Sequence, residues 1–138
     1  MIRPYEFMKP VAKPAPEAAS IFGSSEIIRV DYDLSELRIT ILFKGSTKEI
    51  NVVFSTPVGF RVLDEGDLVE FWEKYHMRNG WLYEVKSGGW HDLELKRDGY
   101  LSQLTNEIKE YLVVGENYCV SVMVHESERP KVTSGSAT

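Results

Sequence analysis

The sequence predicts an α+β fold, a mainly antiparallel sheet (a meander plus a C-terminal hairpin) with one or two helices packed on it. Three observations carry this. Residues 26–55 alternate apolar and polar side chains over three successive segments; one window after Asp64 changes to a period of 3.6; and a second alternating pair flanks a Gly-Glu-Asn turn near the end. A glycine-rich phosphate loop and a βαβαβ rhythm are both absent, which argues against a parallel doubly wound sheet.

Residues 1–23 hold four of the six prolines and no sustained period, and read as a Pro-rich N-terminal arm with Tyr5, Phe7 and Phe22 as docking aromatics. A single α+β domain is expected over residues 24–125, followed by a flexible C-terminal tail, small and polar, over 126–138. In "EIIRVDYD" the residues Ile28, Val30 and Tyr32 alternate with Arg29 and Asp31. In "ELRITILF" the apolar face is Leu37, Ile39, Ile41 and Phe43, and after "KGST" it is Ile50, Val52 and Phe54. Short connections between these three segments imply an antiparallel meander. Pro57 interrupts it, and "GFRVL" supplies a short fourth strand.

From Asp64 the residues Leu68, Phe71, Trp72 and Tyr75 fall on one side of a helix of about three turns. Asp64 is its N-cap, and Asn79-Gly80 its stop. The acids Asp64, Glu65 and Asp67 sit where the helix dipole favours negative charge, and Glu70 precedes Lys74 by four residues. Glu73 has no such local partner. Next, "WLYEV" places Trp81, Tyr83 and Val85 on one face of a strand and Leu82, Glu84 and Lys86 on the other. Gly88 and Gly89 form a hinge or tight turn before Trp90. In "EYLVVGENYCVSVMVH" two strands flank the turn, with Val120, Val122 and Val124 opposite Cys119, Ser121 and Met123.

The chain has 138 residues, enough for one core, and a net charge of -5, which disfavours nucleic acid and anionic membranes as partners. The single cysteine, Cys119, forms no internal disulfide, and neither a signal-peptide pattern nor an apolar run of about 20 residues is present. A cytoplasmic location is the expectation. None of His76, His91 and His125 stands at a metal spacing, and neither G-x-S-x-G nor H-E-x-x-H occurs. No catalytic residue, metal or cofactor is therefore predicted. Protein binding is the stronger class, with Glu70, Glu73, Glu84, Trp90, His91 and Asp92 as contact candidates. The alternative is a small-ligand-binding or enzymatic domain with a cleft near Trp81, Glu84 and Trp90. An exposed strand edge also offers a route to a homodimer.

The segments "GFRVLDEGDLVEFW", "GWLYEVKSGGW" and "EYLVVGENYCVSVMV" resemble a group of small bacterial proteins of immunity-protein type, over about Phe54 to Val124. The resemblance implies a cytoplasmic protein that binds and neutralises a cognate toxin domain without catalysis of its own. An acidic chain would suit a basic toxin domain through electrostatic steering. The resemblance assigns no functional residues.

Overall fold

The computed structural model describes residues 10–18, 21, 23–64, 66, 80–100 and 107–135. The predicted helix after Asp64, with Glu70, Glu73 and Trp72, and the arm aromatics Tyr5, Phe7 and Phe22 lie outside these residues.

Strand β1 is Val11–Pro14, β2 Ser25–Tyr32, β3 Glu36–Phe43, β4 Glu49–Ser55 and β5 Gly59–Asp64. Strand β6 is Leu82–Ser87, β7 Ile108–Val114, β8 Tyr118–His125 and β9 Lys131–Gly135. A single turn of α-helix, α1, covers Trp90–Glu94, and a 3-10 turn Pro16–Ala18. The described chain is thus sheet-rich with little helix. Among the described residues every strand pairing is antiparallel, in a five-stranded sheet of order β1-β6-β7-β8-β5 and a four-stranded sheet of order β2-β3-β4-β9.

The two sheets bury their facing sides in one core. Ile27, Leu37, Ile39, Ile41, Phe43, Ile50, Val52 and Phe54 come from the smaller sheet, and Leu82, Tyr111, Val113, Val120, Val122 and Val124 from the larger. Aromatic edges lock across the interface, Phe43 against Trp81 at 5.4 Å and Phe54 against Tyr111 at 5.6 Å. The larger sheet also buries its other side, where Tyr83, Val85, Leu112, Val114 and Cys119 form a second cluster. Burial on both sides explains why so little of this sheet reads as polar.

The predicted meander is β2-β3-β4 and the predicted hairpin β7-β8. Four details differ from the sequence reading. The register of β2 shifts between Ile27 and Arg29, so Ile27 enters the core and Ile28 is exposed; a bulge adds one residue and reverses the faces beyond it. The "GFRVL" strand leaves the meander and pairs with β8 in the other sheet. Trp81 packs in the main core apart from Tyr83 and Val85, because it precedes β6 and follows Gly80 at φ +149. Finally, part of the expected arm is β1 on β6, and part of the expected tail is β9 on β4.

Both terminal segments hold for a local reason. Ala15 and Ala18 are small enough to enter the core beside the strands, Ala15 N–H donates to the Leu82 carbonyl at 2.9 Å, and Trp81 Nε1 donates to the Ile21 carbonyl at 3.1 Å. Val132 packs on the core opposite Val52. Among the described residues no helix is long and apolar enough to cross a membrane.

Candidate functional site

Glu84 lies opposite Tyr111 in the β6–β7 pairing, which turns its carboxylate inward, toward the side where the sheets face each other. Its side chain is only 4% exposed, and a carboxylate so buried requires charge partners. Three converge on it. Lys86 Nζ and Lys109 Nζ donate to Oε1 at 2.8 and 3.2 Å, and Arg129 stands 3.7 Å from Oε2. Arg129 also forks onto both oxygens of Glu17 and lies 5.8 Å over the Tyr111 ring. Burial raises the Glu84 pKa, but the hydrogen bonds of Lys86 and Lys109 outweigh it and hold the group below its ordinary value. Burial pushes the Tyr111 hydroxyl up to about 12, and that hydroxyl has no hydrogen-bond partner among the described residues.

Trp90, His91 and Asp92 lie on the opposite side of the same sheet. Their helix, α1, is held by Glu110, whose Oε2 accepts the Trp90 N–H at 3.1 Å and whose Oε1 accepts the His91 N–H at 2.8 Å. Asp92 closes the preceding turn by accepting the Gly88 N–H at 2.7 Å, with Gly88 at φ +74. His91 Nδ1 lies 3.0 Å from the Tyr100 hydroxyl, and Arg61 lies 5.2 Å over the Trp90 ring. Burial raises the Glu110 pKa, the two backbone N–H groups offsetting part of the rise, and burial lowers that of His91. These three predicted contact residues thus anchor a loop on the sheet. Trp81, Glu84 and Trp90 are not brought into one cleft, because Trp81 is in the core and Glu84 and Trp90 lie on opposite sides of the sheet.

A third locus escaped the sequence reading. At the β2–β3 turn, Asp33 Oδ1 accepts the Ser35 N–H at 2.9 Å, the Ser35 hydroxyl at 3.0 Å and the Glu36 N–H at 2.8 Å. Those donors lower the Asp33 pKa. Leu34, held between them, has φ +77 and is 81% exposed. A leucine here incurs backbone strain and leaves an apolar side chain in water, where Asn or Gly would avoid both. Beside it, Tyr32 packs edge-on to Phe60 at 5.1 Å. Phe60 and Val62 share a face of β5, and Tyr32, Val62 and Tyr118 each remain more than two-fifths exposed. The signal was the string "DLSE", whose Asp and Ser mark a side-chain-closed turn with leucine at a position better suited to glycine or asparagine.

Among the described residues no group of three or more His, Cys, Asp or Glu side chains could hold a metal ion. No protein-family model matches the chain, and no curated protein or solved structure matches it either.

Proposed function

We propose that this protein is a protein-binding module of the immunity type, which docks on and neutralises a basic toxin domain. The observation that carries the reading is Leu34, an exposed leucine fixed in a strained turn by three hydrogen bonds to Asp33. A rigid apolar tip with an aromatic neighbour, Tyr32, is the kind of anchor that dominates binding energy, because its ordering is complete before the partner arrives. Asp31, Asp33 and Glu36 surround it with acidic groups, only partly answered by Arg29 and Arg38. That rim fits a basic partner. Glu70 and Glu73, on the helix the sequence predicts, are further contact candidates, and the helical part of the α+β expectation belongs to the same reading.

The test uses Leu34→Asn with the product of the adjacent gene as bait. Asparagine tolerates the left-handed conformation, so the fold keeps its melting temperature or gains a little. Partner binding should fall by about tenfold or more. Unchanged affinity in the variant, or no complex with the wild type, overturns the proposal.

A further inference from the structure

Beside Glu84 the structure opens a notch of about 320 Å³ lined by the strand ends Glu84–Lys86 and Glu107–Lys109 together with Glu126. That volume is at the lower end of the range for small-molecule sites. The lining follows from the strand register. Lys109 and Glu107 are two residues apart on β7 and its approach, so they share a side of the sheet, and the Glu126 N–H donates to the Glu107 carbonyl at 3.0 Å across the next strand.

The charges are segregated. Both lysine ammonium groups touch one oxygen of Glu84, so they stand within two hydrogen-bond lengths of each other, and among the described residues their remaining N–H donors meet no other acceptor. Their side chains are about one-third exposed, reaching solvent where Glu84 does not. The notch itself is lined by Lys86 and Lys109 against Glu84, Glu107 and Glu126, and Arg129, which does not line it, adds a third cation on Glu84. Glu107 and Glu126, both exposed, form no ion pair among the described residues. One wall therefore offers N–H donors and the other carboxylates.

We propose that this notch binds a small amino-acid zwitterion, its carboxylate held by Lys86 and Lys109 and its ammonium by Glu107 and Glu126. The site is independent of the protein-docking tip at Leu34. Neither Trp81 nor Trp90 lines it, so it differs from the cleft that the sequence suggested.

The test is a titration of the full chain, followed by amide shifts in two-dimensional NMR, with glycine, acetate and methylammonium chloride at matched ionic strength. Glycine should give saturable shifts at Lys86, Glu107, Lys109 and Glu126 with a Kd of about 1 mM, and at least tenfold tighter than either single-charge probe. Glu107→Gln combined with Glu126→Gln changes only exposed side chains, so the fold is kept. That variant should bind glycine about tenfold more weakly and leave acetate unaffected. Absence of saturable glycine shifts, equal binding of acetate and glycine, or unchanged glycine affinity in the variant each overturns the proposal.

Discussion

A methyl group on Gly89 would stand 2.7 and 2.8 Å from the two carboxylate oxygens of Glu110 and 2.8 Å from Cγ1 of Val85. The glycine lets the backbone come close enough to Glu110 for two N–H donors to reach it. Gly89→Ala should therefore destabilise the fold by about 1–3 kcal/mol, the usual range for forced overpacking. Urea denaturation checks this, and an unchanged midpoint would contradict the geometry. The two buried glutamates behave oppositely with pH. Glu110 has a raised folded pKa, so its contribution is fully present below its ordinary value of 4.5 and is lost as pH rises through the folded value. Glu84 has a lowered one, so its contribution is present above 4.5 and lost as pH falls through the folded value. Glu84→Gln should cost about 1–3 kcal/mol near neutrality, discounted for the solvent around its lysine partners, and should flatten the acid limb of the stability curve below 4.5. Denaturation midpoints measured across that limb test it. A limb as steep as that of the wild type would assign the acid sensitivity to other carboxylates.

At the level of elements, β2 is an end strand among the described residues, and its outer edge is closed at Ser25 by the Glu116 N–H, 2.8 Å from the Ser25 carbonyl, and at Ile27 by a side chain. Asn117 Oδ1 accepts the Ile27 N–H at 3.2 Å, Nδ2 donates to the Ile27 carbonyl at 2.9 Å, and the same Oδ1 accepts the Tyr118 N–H at 2.8 Å. At Ile27 one side-chain amide thus takes the place of a neighbouring strand. Asn117→Ala should destabilise by about 1–3 kcal/mol and speed hydrogen exchange at Ile27 more than at Ile39 in β3. Equal protection of both amides in the variant would show that Asn117 does not guard the edge. The same contact shows the limit of local patterns. The faces of β3, β4 and β8 were legible because their alternation is unbroken, whereas β2 is anchored at Ile27 by a residue 90 positions away and changes face just beyond it. Strand β9 was hidden for a different reason. Only Val132 of its residues packs on the core, too little apolar content for any period. Of the candidate residues, Glu84 was legible as odd, being a charge on a largely apolar strand. Glu110 was passed over, although its register places it under α1.

Across the whole molecule, the chain changes layer between β4 and β5 within three residues, Thr56, Pro57 and Val58. Thr56 takes φ +41 and donates its N–H to the Ser35 carbonyl at 2.6 Å, tying this crossover to the turn that presents Leu34. The turn that presents Leu34 and the passage between sheets are therefore joined at one corner. Strands distant in sequence are paired elsewhere, β1 with β6, β5 with β8 and β4 with β9, so each sheet is completed only when remote segments meet. Strands β1 and β9 lie at the rims of different sheets, each with a single neighbour among the described residues. A mechanical load applied between β1 and β9 would consequently pull on opposite layers at once and strip a rim strand from each, leaving the aromatic contacts between the layers to carry the force last.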